Sequence, residues 1–327
     1  MNKDVRVLNN QQVKVGFFKR IMQAREFMVF SIVLCVGIAL SLASPYFLTG
    51  ANLLALLLGL SVEGILACGM TLIIITGGID LSIGSNVALT GAVTAFCVRA
   101  GLPIVVAILA GLITGILVGF INGIMHAKLH INAFIITLGM MNIARGLTLI
   151  TVGGLNIANL PDTFTVLGQG KIIGIQYPII VMLLLIIIGD ILLRRSRFFR
   201  QNYYLGNNEK AAALSGINVS KTKIINFVIC GGLGAIAGIL MTSRLGAATA
   251  TAGNNLEMKV ITAVILGGAS LSGGAGSIFG AFLGALLVGL IYNGLNLLGV
   301  DVNWQTFILG IVLLMSVVID NVKNRNR

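Results

Sequence analysis

A carboxylate with neighbouring hydroxyl groups stands between two long apolar runs of the chain. The stretch at 76–85 reads TGGIDLSIGS and contains Asp80, Ser82 and three glycines. An ionisable group at membrane depth costs roughly 2.5–3.5 kcal/mol to insert, so such groups usually mark a functional site. Two interpretations of Asp80 are open: an N-cap that holds a broken helix, or a group on a transport path that bonds a polyol together with Ser82.

The composition is that of an integral membrane protein. The chain has 327 residues, 57% of them hydrophobic and 10% charged, whereas soluble domains are about 25% charged. Ten apolar runs are candidates for transmembrane helices. They are about 27–43, 52–75, 86–98, 103–125, 131–152, 178–193, 224–242, 258–266, 278–298 and 304–319. We predict an all-α fold with about ten crossings, in which the weak runs at 86–98 and 258–266 could be half-helices.

The positive charge predicts the orientation. The formal net charge is +12, and most lysines and arginines lie in short segments between apolar runs. Such segments are cytoplasmic under the positive-inside rule. We therefore predict a cytoplasmic tail at 1–26, a transmembrane domain at 27–320 with a cytoplasmic loop at 194–223, and a cytoplasmic tail at 321–327. No folded polar domain carries the charge, so nucleic-acid binding is not indicated.

A second stretch resembles the first. GGIDLS at 77–82 is similar to GGASLS at 267–272, and each follows one apolar run and precedes another. Alternating crossings place both stretches on the cytoplasmic side and the segments at 153–177 and 243–257 outside. Transporters often contain two related halves with broken helices. Two related halves and a chance likeness of six small-residue positions are both open.

Other polar groups lie within the apolar runs. Glu63 and Arg145 each need a partner or a wet cavity, and they could pair with each other. Scattered amides and hydroxyls suit a neutral, hydroxyl-rich solute better than an ion, although many such groups only hold helices together. They are Asn86, Asn122, Thr137, Asn142, Asn293 and Asn296.

Enzyme chemistry is not indicated. The sequence contains no catalytic constellation and no Gly-x-x-x-x-Gly-Lys-Ser/Thr phosphate loop, so any ATP-driven process requires another subunit. The four cysteines lack metal-ligand spacing and are expected to pack as small apolar residues. His126 and His130 are four residues apart, but a polar loop is the expected role. We predict no catalytic residue, no metal and no cofactor.

The basic loop contains the pattern of a short helix, YLGNNEKAAALSGIN at 204–218. Asn208 suits an N-cap, Glu209 suits a first turn, the alanines favour helix, and Gly216 suits its end. We predict a short helix whose small-residue face docks into a partner. The alternative is a connector helix that lies on the membrane surface.

Together these motifs resemble the ribose-type permeases of bacterial ATP-binding-cassette importers. The resemblance rests on the stretches at 76–85, 206–219, 267–274 and 293–300, and it extends from about residue 45 to the end of the chain. It implies a subunit of the inner membrane with cytoplasmic termini. It also implies as partners a second permease copy in a homo- or heterodimer, ABC ATPase subunits and a periplasmic or extracellular sugar-binding protein.

Residue roles follow from the motifs and the resemblance. We assign the translocation path to Asp80, Ser82, Asn86, Asn142, Ser270 and Ser272. The segment at 206–218 is similar to the coupling helix of the family, which implies that ATPase coupling involves Gly206, Glu209, Ala211, Ala212 and Gly216.

We therefore predict the permease subunit of an ATP-driven monosaccharide importer that works by alternating access. The solute is a ribose-like pentose or a hexose such as allose. One alternative is an ion-coupled secondary transporter or channel in which Asp80 or Glu63 carries protons. Another is a nucleoside or signal-sugar permease of the same wider family. ATP dependence distinguishes the first alternative, and the sequence does not name the sugar.

Overall fold

The computed structural model describes residues 25–325, which form thirteen helices and one two-stranded ribbon. Helices α1 to α5 are Arg25–Ala43, Gly50–Ile75, Ile83–Arg99, Ile104–Lys128 and Ala133–Val152. Next come α6 (Asp162–Gln169), the antiparallel strands β1 (Lys171–Ile172) and β2 (Ile175–Gln176), and α7 (Tyr177–Arg195). Helices α8 to α13 are Arg197–Asn207, Glu209–Leu214, Val219–Leu245, Leu256–Leu266, Ile278–Leu297 and Val302–Arg325.

All ten predicted apolar runs are helical, but they differ in length. Among the described residues, seven helices are long and apolar enough to cross a membrane: α1, α2, α4, α5, α7, α10 and α12. Helix α11 has 11 residues, so it is about 16 Å long, half of a hydrocarbon core of about 30 Å. The all-α membrane fold is confirmed, and the run at 258–266 is a half-helix by length.

The structure describes the two predicted cytoplasmic tails to different extents. The tail at 1–26 lies almost entirely outside the described residues. Helix α13 continues to Arg325, so residues 321–325, predicted as tail, are helical. Lysine and arginine have high helix propensity, and a basic segment can therefore extend a helix beyond the apolar run.

Helix α10 is the centre of the bundle and packs antiparallel to α4 through small residues. A Cβ on Gly119 would meet the backbone of Phe227, and one on Gly231 would meet the carbonyl oxygen of Gly115. Small residues let helices approach closely, which is what drives helix association in lipid. Helix α2 packs on α10 where Gly69 meets Cys230. The second half of α2 is buried as a result.

Large exposed apolar side chains lie on α1, α4, α5 and α7. These faces can lie against lipid or against another membrane-embedded subunit, because apolar side chains need no hydrogen-bond partners there. Many of the buried polar side chains lie instead on α10 and just after the ends of α2 and α11. The fold thus places a limited set of buried polar groups within an otherwise apolar interior.

Candidate functional site

The stretch at 76–85 begins with a helix end. Helix α2 ends at Ile75, and Gly77 has a left-handed φ of 80°. The N–H of Gly78 donates to the carbonyl of Ile73 at 3.0 Å. This is a Schellman end, in which a left-handed glycine allows the last carbonyls to be satisfied.

Asp80 then forms a buried turn with Ser82. Its Oδ1 accepts from the N–H of Ser82 at 2.9 Å and from the Oγ of Ser82 at 2.6 Å. The Oγ of Ser82 also accepts from Nδ2 of Asn122 at 2.9 Å. Ser82, not Asp80, occupies the N-cap position of α3. The predicted N-cap role of Asp80 is therefore replaced by a turn that immediately precedes the helix.

Asn86 fixes the depth of this break. Its Nδ2 donates to the carbonyl of Gly231 at 3.0 Å, and Gly231 is near the middle of the 27-residue α10. Because α10 is long enough to span a membrane, the first turn of α3 lies near mid-depth. The chain therefore turns back into the bundle after α2, and Asp80 is 2% exposed there.

The stretch at 267–277 repeats this local geometry. Gly268 has a left-handed φ of 97°, and the N–H of Ala269 donates to the carbonyl of Val264 at 3.1 Å. Ser270 takes the place of Asp80, and its Oγ accepts from the N–H of Ser272 at 3.3 Å. The similarity of the two sequence stretches is thus also a similarity of two helix ends.

The carboxylate of the second break comes from a distant helix. Oδ2 of Asp320, on α13, accepts from the Oγ of Ser270 and from the N–H of Leu271, each at 3.1 Å. Ser270 is 2% exposed. No local pattern predicts this contact, because Asp320 is fifty residues further along the chain.

Ile75, where the first break starts, meets the second break at one end of the bundle, the end that carries residues 194–218 and is called here the basic end. The N–H of Gly274 donates to the carbonyl of Ile75 at 2.8 Å. A Cβ on Gly206 of α8 would collide with the carbonyl oxygen of Ile75 and the backbone of Gly274. Helix α8 therefore touches both breaks at once.

A second contact of α8 is polar. The hydroxyl of Tyr203 donates to the carbonyl of Gly276 at 2.9 Å. Burial raises the pKa of the Tyr203 hydroxyl, since a buried phenolate would lose its hydration. The hydroxyl accordingly stays protonated and remains a donor.

The predicted short helix is confirmed as α9. Oδ1 of Asn208 accepts from the N–H of Ala211 at 3.0 Å, as an N-cap does. Gly216, with a φ of 84°, follows the last turn. Nζ of Lys223 lies 2.8 Å from Oε2 of Glu209 and ties α9 to α10.

The exposed face of α9 differs from the predicted small-residue face. Ala211 is exposed, but Ala212 is 4% exposed and packs inward. Leu214 is 91% exposed, which makes it the largest apolar group that this helix offers to a partner. Gly206 is half-buried against the breaks, so it is placed between the surface helix and the bundle.

The six residues assigned to the translocation path do not form one cluster. Asp80, Ser82 and Asn86 lie together at the first break, whereas Ser270 and Ser272 lie at the basic end. Asn142 is exposed on α5 and donates to the carbonyl of Leu138 in its own helix at 3.2 Å. The contacts of Asn142 thus separate it from the other five.

Glu63 and Arg145 have partners, but not each other. Oε1 of Glu63 lies 3.5 Å from Nζ of Lys259, and that ammonium group lies 3.8 Å from the ring centroid of Tyr292. Nη1 of Arg145 donates to the carbonyls of two residues in the segment at 246–255, Ala250 at 2.9 Å and Ala252 at 2.7 Å. The expectation of partners is met, and the suggested pairing is not formed.

The segment at 246–255 descends into the bundle, which the sequence analysis did not foresee. It starts at the end opposite the basic end, where Ala248 pairs with Ile157. It reaches Gly253, whose neighbour is Gly84 in the first turn of α3. Helix α11 therefore begins near mid-depth and runs to the basic end. Non-helical backbone at this depth is tolerated where it is buried or lines a cavity.

A cavity of about 350 Å³ lies between the descending segment, α2 and α10. Its polar lining is Glu63, Arg244, Thr249, Thr251 and Asn254, and its apolar lining includes Val62 and Met241. Nη1 of Arg244 donates to the carbonyl of Leu58 on α2 at 2.8 Å. One sequence signal indicates this cavity: the apolar run at 258–266 is short and follows a polar segment.

His126, one of the two histidines, contacts the backbone of the following loop. Within residues 25–325 no three or more His, Cys, Asp or Glu side chains are grouped as a metal site. Nδ1 of His126 lies 2.9 Å from the carbonyl oxygen of Ile131. His126 thus ties the end of α4 to the loop that follows it.

Comparison with known proteins gives the family and several relatives. Residues 52–317 match the family described as branched-chain amino acid transport system / permease component. The chain is 43% identical over 297 residues to the ribose import permease protein RbsC of Escherichia coli K12, with 89% of this chain and 92% of the relative covered. It is 42% identical over 289 residues to RbsC of Bacillus subtilis, with 88% and 90% covered.

A relative with a different sugar in its name is almost as similar. The L-arabinose transport system permease protein AraH of Escherichia coli K12 is 37% identical over 288 residues, with 88% of each chain covered. No solved structure matches the chain.

Proposed function

This chain belongs to the branched-chain amino acid transport system / permease component family, and we propose that it is the membrane-spanning permease subunit of an ATP-driven monosaccharide importer. Its relatives are named as ribose and L-arabinose permeases, which supports a pentose-like solute. The relatives are named as transport proteins rather than enzymes. The observation that carries the mechanism is the contact of helix α8 with both helix breaks.

Helix α9 is the docking element for an ATPase subunit. It is short, capped at both ends and exposed at Leu214. An exposed leucine on an otherwise polar surface fits an apolar pocket in a partner, where a buried anchor gives most of the binding energy. Glu209 and Ala211 lie beside it on the same exposed segment.

Helix α8 transmits the movement of α9 to the interior. Nδ2 of Asn202 donates to Oδ1 of Asn226 at 3.4 Å, and Nδ2 of Asn226 donates back to Oδ1 of Asn202 at 3.1 Å. Gly206 and Tyr203 contact the two breaks. A rigid element of this kind shifts as a body, because packed helices slide or rotate rather than deform. ATP binding and hydrolysis in the partner thereby reorient the interior.

The first break frames the path and does not carry protons. Oδ1 of Asp80 is engaged by two donors of Ser82 in a buried turn. Such a carboxylate supports the shape of the backbone next to the solute. Ser270 and Ser272 line the basic end of the same path. This arrangement favours the importer over the ion-coupled alternative.

The partners are a second permease copy, two ATPase subunits and a sugar-binding protein. The exposed apolar faces of α1, α4, α5 and α7 supply surface for lipid and for the second copy. The basic end lies in the cytoplasm with both termini, since lysines and arginines collect there. The sugar-binding protein docks on the opposite end, near Arg99 and the loop with Asn156 and Asn159.

Reconstituted transport tests the function. The chain, its ATPase and its sugar-binding protein are placed in proteoliposomes, and uptake of D-ribose and L-arabinose is measured with and without ATP. We expect accumulation of at least one pentose only with ATP and the binding protein. Accumulation by the chain alone, or with an ATPase whose phosphate-loop lysine is replaced, would overturn the proposal.

Docking by α9 has its own test. Leu214→Glu places a charge in the proposed apolar pocket of the ATPase, so we expect loss of ATPase co-purification and of sugar-stimulated hydrolysis. The matched control for ATPase co-purification is Ile173→Glu, because Ile173 is 96% exposed between β1 and β2, away from α9. Normal hydrolysis in the Leu214 variant would assign α9 to the membrane surface instead.

A further inference from the structure

We propose that the cavity between α2, α10 and the descending segment at 246–255 is a transit site for a neutral polyol of monosaccharide size. The proposal rests on the proposed function and names the place where the solute pauses. The cavity residues Glu63, Arg244, Thr251 and Asn254 are distinct from the six assigned to the path from sequence. They come together only through the descent of the segment.

The lining has the hydrogen-bonding character that a polyol requires. Each sugar hydroxyl both donates and accepts, so its site needs both kinds of group. Glu63 offers carboxylate acceptors, Arg244 offers guanidinium donors, and Thr251 offers a hydroxyl that does both. Asn254 adds an amide with one acceptor and two donor hydrogens.

The size and the apolar part of the cavity fit the same solute. Its volume of about 350 Å³ lies at the lower end of the roughly 300–1,000 Å³ of small-molecule sites. Val62 and Met241 supply an apolar wall, against which the C–H face of a sugar ring packs. Gly59 lies on the same wall and leaves room for close approach.

The charges of the cavity do not favour a cation. Glu63 is 9% exposed and is paired with Lys259, so its carboxylate already has a positively charged partner. Arg244 is anchored to the carbonyl of Leu58. The Glu63–Lys259 pair has no net charge and gives little net attraction to a cation, while Glu63 and Arg244 both remain hydrogen-bonding groups for a polyol.

The cavity also lies where the moving parts meet. Lys259 is on α11, so the Glu63–Lys259 pair joins α2 to the half-helix that ends in the second break. The descending segment touches the first turn of α3 through Gly253 and Gly84. A solute in the cavity therefore contacts α2, α10 and the segment before α11, which are joined to both breaks.

Protection from thiol labelling tests occupancy. Thr251→Cys is introduced after Cys35 and Cys97 are replaced by alanine, and the assembled importer in nanodiscs is treated with a charged methanethiosulfonate reagent. We expect millimolar D-ribose to slow labelling by about threefold or more, a change of ~0.65 kcal/mol. Leu129→Cys, at an exposed position directly after α4, serves as the control and should be labelled at an unchanged rate.

A charged analogue distinguishes solute classes. D-Ribonate has similar hydroxyls and a carboxylate, and we expect weaker protection from it than from D-ribose. Equal labelling rates with and without D-ribose, or stronger protection by D-ribonate, would overturn the transit site as proposed.

Transport by a lining variant gives a second measurement. Asn254→Leu removes the amide from an exposed position, and we expect uptake of D-ribose to fall about tenfold, ~1.4 kcal/mol, while the loaded binding protein still stimulates ATP hydrolysis. Unchanged uptake would contradict the role of Asn254. If the wild-type importer takes up sugar and Thr251→Cys is not protected, only the transit site fails. If the wild-type importer takes up none, the proposed function fails.

Discussion

The breaks at 76–82 and 267–277 have the same local geometry but obtain their carboxylate differently. In the first, Asp80 is two residues from the serine that it holds. In the second, Ser270 stands in its place and Asp320 reaches in from α13. The carboxylate of the first break is therefore local, and the carboxylate of the second depends on the packing of another helix.

This difference indicates which break can move. The first is buried at mid-depth and is tied to α4 by Asn122. The second lies at the basic end, is rich in glycine and touches α8 through Gly276 and Gly274. Contacts between separate helices hold the second break, so its shape changes when those helices shift. The second break is therefore suited to respond to a movement of α8.

The largest expected effect comes from separating α8 from both breaks. Gly206→Ala places a Cβ against the backbone of Ile75 and Gly274, which cannot move aside. Overpacking of this kind costs typically ~1–3 kcal/mol, and we expect a lower melting temperature in detergent and loss of ATP-dependent uptake. Gly139→Ala is the matched control, because nothing lies within 4 Å of a Cβ there. A Gly206 variant with normal stability and uptake would separate α8 from the coupling route.

Removal of the local carboxylate is expected to have the next largest effect. Asp80→Ala leaves the buried N–H and Oγ of Ser82 without their acceptor, a loss of ~1–3 kcal/mol. Asp80→Asn keeps one acceptor oxygen, so we expect a smaller loss of stability but still impaired uptake. Thermal unfolding and uptake are compared for the two variants. Wild-type behaviour of both would show that the turn at Asp80 needs no carboxylate.

An exchange of the two carboxylate arrangements is expected to have the smallest effect. Ser270→Asp alone brings two carboxylates within hydrogen-bond distance at the second break and should lower stability by ~1 kcal/mol. Adding Asp320→Ser gives the second break a local carboxylate like that of the first. We expect the double variant to regain stability, with a coupling energy of ~0.5–3 kcal/mol. Strictly additive effects would contradict the contact, while restored stability with poor uptake would support a need for the link to α13.

Much of the architecture could be predicted from the sequence. The ten apolar runs became helices, and the cap at Asn208 and the stop at Gly216 appear where their residue types favour them. The likeness of 77–82 to 267–272 proved to be a likeness of two helix ends. These features depend on residues within one or two turns of each other, which local sequence describes well.

The cavity and its partners could not be predicted in this way. The pairing of Glu63 with Lys259 joins residues on two different helices. The descent of the segment at 246–255 is held by Arg145 from α5. A hydropathy pattern reports how apolar a run is, not how deep a polar segment enters between helices.

Local sequence patterns are enough to predict an all-α membrane protein with a short capped surface helix and two glycine-rich helix ends, because burial in lipid and local hydrogen bonding act on neighbouring residues. Helix packing in three dimensions places Asp80 inside the bundle, brings Asp320 to the second break and sets Gly206 against Ile75 and Gly274. Those contacts arise from close helix packing through small residues. They join parts of the chain that no local pattern connects.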